Sequence, residues 1–127
     1  MTFAYFSILI LSLLNAFCAA YAKKLAHFTP ANNHYPRDFM AKATGKAARL
    51  NAAQNNGYEV LPIYAAAVII AHATGEARQD AINFWAFAFL ALRVAFIWAY
   101  ANDKSTLRSI IWGLGYLCII ALFIAAC

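Results

Sequence analysis

The chain has 127 residues, 65% of them hydrophobic and 12% charged, with a formal net charge of +5. A soluble domain of this length has too little interior to hide so much apolar surface, so the composition excludes an ordinary soluble fold and points to an integral membrane protein. At 14 kDa there is room for one bundle and no second domain, and the surplus of cations reads as orientation and contact with anionic lipid, not as nucleic-acid binding.

Four apolar stretches follow one another. The first is Thr2–Ala22. Its start, MTFAYF, lacks the basic segment of a secretory signal. Phe17 precedes Cys18, where a lipoprotein cleavage site needs a small residue, so this stretch reads as a retained helix. A long first loop runs from Lys23 to Leu50, broken early by Pro30, Asn32, Asn33 and Pro36. From Asp38 the residues favour helix, with Asp38 placed as a cap, and that helix continues into the second span, Asn51–Ala73. This span is polar at first and apolar from Val60, and Pro62 marks an expected kink. Ala81–Ala101 and Leu107–Cys127 are the third and fourth spans. Each is close to the ~20 residues that cross a bilayer, where only helices satisfy the backbone. The last two loops are short, which makes neighbouring helices antiparallel. The expected fold class is therefore all-α, an integral membrane four-helix bundle, with Gly113 and Gly115 placed for close helix packing.

Charge orients this bundle. The first loop holds Lys23, Lys24, Arg37, Lys42, Lys46 and Arg49, and Lys104 and Arg108 flank the third. The second loop has only Arg78. The positive-inside rule puts loops one and three in the cytoplasm and both termini on the other side. Cys18, Cys118 and Cys127 sit in apolar helices without metal spacing, and His27, His34 and His72 form no ligand pattern, so no metal site is expected.

Depth brings the polar residues together. Glu59 lies eight residues into the second span from Asn51, and Arg93 eight residues before Ala101. Both are then roughly 12 Å deep at 1.5 Å per residue. Asn15 lies at the same depth in the first span. A buried Glu59–Arg93 pair with an amide neighbour satisfies the rule that buried charges are paired. Arg49, Asn56 and Glu59 share one helix face, with Asn55 and Tyr58 nearby, and Arg93, Phe96 and Tyr100 share another. With Arg108 they outline a polar cleft open to the cytoplasm. Arginines, carboxamides and one carboxylate suit a zwitterionic ligand carrying carboxylates and an amine, and the bilayer supplies an apolar co-substrate. No phosphate loop and no Ser/His/Asp set is present.

These residues resemble a known signature. The stretch Ala53, Gln54, Asn56, Glu59, Pro62 is similar to the second-helix motif of the MAPEG family, the membrane-associated proteins in eicosanoid and glutathione metabolism. Arg93, Phe96 and Tyr100 match the third-helix pattern, and Leu107–Arg108–Ser109 is similar to the run that opens helix four in bacterial members. Ala52 stands where the family often has arginine, and Phe96 where some members have tyrosine. The resemblance implies a homotrimer in the bacterial inner membrane, with its termini in the periplasm and glutathione bound between subunits as co-substrate. It also implies a transferase or peroxidase acting on a hydrophobic electrophile or lipid peroxide. Arg108 is then the thiol-activating residue, and Arg49, Asn51, Gln54, Asn56, Glu59, Arg93 and Tyr100 are the ligand-binding set. A different reading is a non-catalytic lipid-binding or accessory subunit of a larger complex. A small transporter or channel is a weaker third, because one chain of four helices carries little inverted-repeat signal.

Overall fold

Residues at the helix ends decide where the chain starts and stops turning. The structure, a computed structural model, describes residues 1–127 and contains five α-helices and no strand. They are α1 (Phe3–Leu25), α2 (Pro36–Ala41), α3 (Gly45–Ala73), α4 (Gln79–Ala101) and α5 (Ser105–Ala125), with a 3-10 turn at Pro30–His34. The hydroxyl of Thr2 accepts the Tyr5 N–H at 3.3 Å and caps α1. α1 ends three residues later than Ala22, with Lys23 and Lys24 in its last turn, where cations suit the helix dipole. Its exit is a Schellman closure. His27 turns into the left-handed region at φ 57°, and the Phe28 N–H bonds the Lys23 carbonyl. The α4–α5 connection repeats this device. Asp103 has φ 57°, and the Lys104 N–H bonds the Ala99 carbonyl at 2.9 Å. That closure sets Arg108, one turn into α5, beside the end of α4.

Two local expectations are corrected. Asp38 does not cap the helix that enters the second span. It lies in the first turn of the separate α2, and α3 starts afresh after Thr44. Gly45 has φ +60°, a conformation that interrupts a right-handed helix and separates α2 from α3. Gly113 meets no atom that would limit helix approach, because a Cβ added there has nothing within 4 Å. The close approach is at Gly57, where an added Cβ would fall 2.0 Å from Asn15 Oδ1.

Helices α1, α4 and α5 are long and apolar enough to cross a membrane. α3 is the longest at 29 residues and runs unbroken through Pro62, but does not meet the same condition. Its half from Lys46 to Glu59 is polar, and the apolar remainder from Val60 spans only about 21 Å at 1.5 Å per residue. One face of that remainder packs on its neighbours, and Ile63, Ile69 and Ile70 on the other are exposed. α3 and α4 pack against each other in the middle, each touching α1 and α5, which occupy opposite edges.

The core has two parts. The part near the α3–α4 loop includes Leu11, Val60, Tyr64, Val68, Ile82, Phe89, Ile119 and Leu122. The part near loop one includes Cys18, Ala22, Leu50, Ala53, Phe96, Ala99 and Ile111. Between them lie Asn15, Asn56, Gly57 and Arg93, at the level where α1, α3 and α4 meet.

Candidate ligand cleft

The site begins at this polar level. Arg93 is 3% exposed and donates from Nη1 to Asn56 Oδ1 at 2.9 Å. Its Cζ lies 4.2 Å from the Phe96 ring centroid. Phe96 meets Tyr100 edge-on, with centroids 5.6 Å apart. The guanidinium Cζ of Arg108 in turn lies 4.3 Å from the Tyr100 ring centroid. A ladder of cation, ring, ring, cation thus climbs from the buried level toward the loop-one end. Each cation–ring contact contributes about 0.5–2 kcal/mol depending on desolvation.

The expected Glu59–Arg93 pair does not form within the chain. The ion pair present is Arg78–Asp80, at 2.6 Å in the exposed α3–α4 loop. Asn56 and Glu59 are three residues apart, which turns their side chains about 60° from each other around α3. Asn56 points inward to Arg93 and Glu59 is exposed. The inner guanidinium is therefore held by the Asn56 amide and the Phe96 ring, with its Nε and Nη2 lacking a protein partner.

A cleft of about 610 Å³ opens between α3 and α5 above this ladder, a volume ordinary for small-molecule sites. Its walls bring together Asn56 and Glu59 of α3, Tyr100 of α4, and Arg108 of α5. Asn55, Ser109 and Trp112 also line it. Arg93 supports this floor from below. On the other flank of α3, against α1 and α2, lies a second cleft of about 540 Å³. It takes Asn51 and Gln54, whose side chains bond each other at 3.1 Å, together with Lys23, Arg37 and Tyr58. Asn55 borders both clefts. Arg49 belongs to neither, since its Nε donates to the Ala101 carbonyl at 3.1 Å and closes the end of α4.

The eight residues singled out in the sequence thus fall in four places: the α3–α5 cleft, its floor, the α1–α3 cleft and the end of α4. Lys23 and Arg37 of the second cleft escaped sequence reasoning, which read them as topology signals only. The split itself is written in α3. Ala52, Asn55 or Asn56, and Glu59 form one stripe at helical spacing, while Asn51, Gln54 or Asn55, and Tyr58 form the adjacent one. Chemically, the α3–α5 cleft offers a free carboxylate, carboxamides and a guanidinium stacked on a phenol. That set can hold an ammonium, accept and donate to peptide groups, and stabilise an anion.

An all-helical bundle with three helices long and apolar enough to cross a membrane, and polar clefts at one end, fits a multi-pass membrane protein. The MAPEG family profile matches residues 1–127, the whole chain, and the chain belongs to that family. No curated protein and no solved structure matches it.

Proposed function

We propose that this protein is a membrane-bound glutathione-dependent transferase or peroxidase acting on a hydrophobic electrophile or lipid peroxide. The observation that carries the reading is the α3–α5 cleft, where Glu59 and Arg108 face one volume with Asn56 and Tyr100 between them. Glutathione carries an ammonium, two carboxylates, two peptide groups and a thiol. In this reading Glu59 takes the ammonium, the carboxamides take the peptide groups, and Arg108 faces the sulfur. A thiol with pKa about 8.5 ionises more readily beside a fixed cation. Its proton passes to water, the thiolate forms the new bond to the electrophilic centre, and the leaving group departs with its electron pair.

The working unit in this reading is a homotrimer with α3 nearest the threefold axis. The two clefts on the flanks of α3 support it, since a ligand in one subunit's α3–α5 cleft would be completed by Asn51, Gln54, Lys23 and Arg37 of a neighbour's other cleft. α3 then acts as the fourth span, shielded from lipid by its neighbours. The cations of loops one and three support a cytoplasmic position for the cleft end in a bacterial inner membrane. The competing reading, a non-catalytic lipid-binding or accessory subunit, draws on Ala52, which puts a methyl group in the cleft wall where the family often has arginine.

Purified protein in detergent, titrated with glutathione, decides between them. A saturable ultraviolet thiolate absorbance, consumed on adding an electrophile, is the expected result. No thiolate signal, with co-purification of other membrane subunits, would overturn the enzyme reading.

A further inference from the structure

A separate groove lies between α1 and α4, on the edge of the bundle opposite the α3–α5 cleft. It holds about 290 Å³, and nine of its eleven lining residues are hydrophobic. Leu14, Phe17 and Tyr21 form one wall, and Val94, Ile97 and Trp98 the other. Phe17 is 68% exposed, Val94 56% and Trp98 55%, so nothing else in the subunit covers the groove. α1 and α4 are both long and apolar enough to cross a membrane, which would turn these side chains toward lipid. At its loop-one end the groove meets Lys46 and Asn102. Tyr21 and Trp98 stand near that end, as interfacial aromatics do.

The polar mouth is one-sided in charge. Lys46 lies in the first turn of α3, where the Thr44 side chain makes no capping bond and the helix dipole is positive. Lys42 and Lys24, on adjoining segments, are exposed. Asp103, on the neighbouring α4–α5 turn, does not line the groove. An apolar trough ending in a cation at the membrane surface complements an amphiphile with one negative head. We propose that this groove binds an anionic phospholipid, with an acyl chain between α1 and α4 and the phosphate on Lys46. The site uses none of the residues assigned to glutathione, so it stands or falls independently of that reading.

Native mass spectrometry of the detergent-purified protein tests it, using dioleoyl-phosphatidylglycerol and dioleoyl-phosphatidylcholine as probes and no glutathione. One surface lysine contributes roughly 1 kcal/mol toward anionic lipid, which is about fivefold in affinity. The phosphatidylglycerol is expected to bind at least fivefold tighter than the phosphatidylcholine, and Lys46→Ala to erase most of that preference. Val94→Trp, which fills the trough, should abolish tight binding of both lipids. Leu114→Trp, at an exposed position of α5 outside the groove, should leave binding unchanged. Equal binding of the two lipids, or equal behaviour of the two tryptophan variants, would show a non-selective lipid shell and overturn the proposal. So would displacement of the phosphatidylglycerol by equimolar oleate, which would make the occupant a free fatty acid. A change in oligomeric mass with Val94→Trp would reassign the groove as an interface between copies of the chain.

Discussion

The two halves of the bundle use the same helices to different ends. Near the α3–α4 loop, the ring of Tyr64 stacks on Phe89 with centroids 4.1 Å apart, and its hydroxyl bonds Ser7, which also donates to the Ala4 carbonyl. Every polar atom in that group has a partner, and the surrounding core is aliphatic and aromatic. Near loop one, α3 changes from apolar to polar, and the bundle opens on both of its flanks. The boundary is the Asn15–Gly57–Arg93 level, where Asn15 is 1% exposed and its amide atoms have no protein partner. Buried polar atoms left this way cost about 1–3 kcal/mol each. One half is built for packing. The other gathers polar side chains and opens into the two clefts flanking α3.

The largest effect that would expose this boundary comes from Gly57. In Gly57→Ala the new methyl falls on the whole Asn15 amide, with Oδ1 at 2.0 Å, Cγ at 2.6 Å and Nδ2 at 2.8 Å. Asn15 is enclosed and cannot swing into open space. The expected cost is about 3 kcal/mol, as for overpacked cores, read as a fall in thermal unfolding temperature in detergent. Gly113→Ala meets nothing and removes a flexible residue from mid-helix. It should stabilise by about 0.5–1 kcal/mol. If the two variants melted alike, the close approach of α1 and α3 would be refuted. Asn15→Ala in the Gly57→Ala background should recover most of the loss.

Next in size is the bond that replaced the expected ion pair. Asn56→Leu leaves the Arg93 guanidinium without its one polar partner, and a hydrogen bond to a charged group contributes about 1.5–3 kcal/mol. Adding Arg93→Leu removes the stranded charge and should restore stability, since apolar replacement of buried polar groups is often neutral or better. Glu59→Gln should leave thermal stability within about 0.5 kcal/mol, as for surface changes. A Glu59→Gln variant as unstable as Asn56→Leu would reinstate the carboxylate as the partner of Arg93, through a neighbouring subunit.

How much of this was legible in the residues differs between the halves in the same way. Apolar runs fixed three membrane-competent helices to within a few residues, because burial and span length dominate there. The common depth of Asn15 and Arg93 followed from counting along the helices, which set Glu59, not Asn56, at the same level. Counting depth says little about direction, and the 60° between Asn56 and Glu59 decided which side chain Arg93 meets. The Asp38 cap failed because Gly45 offered a left-handed turn that cut the helix in two. The close contact at Gly57 required knowing that α1 packs across α3, which no spacing along either helix contains.

The smallest effects separate chemistry from architecture within the cleft. Arg108 is half-buried and stacks on Tyr100, so Arg108→Ala gives up about 0.5–1 kcal/mol of cation–ring contact and no buried charge. Folding should persist. If Arg108 holds a thiolate, its loss raises the bound thiol's pKa, because the anion loses a stabilising cation. A rise of one unit corresponds to about 1.4 kcal/mol and about tenfold less thiolate well below that pKa. Conjugation at neutral pH should fall by that factor and recover as the pH passes the raised value, where both proteins carry the thiolate in full. Tyr100→Phe keeps the ring under Arg108 and removes only a hydroxyl, so at most one hydrogen bond of about 1 kcal/mol is lost. Its pH profile should keep the wild-type midpoint at a lower plateau. A shifted midpoint in Tyr100→Phe with none in Arg108→Ala would transfer the thiolate to the phenol. The guanidinium would then serve only to hold that ring.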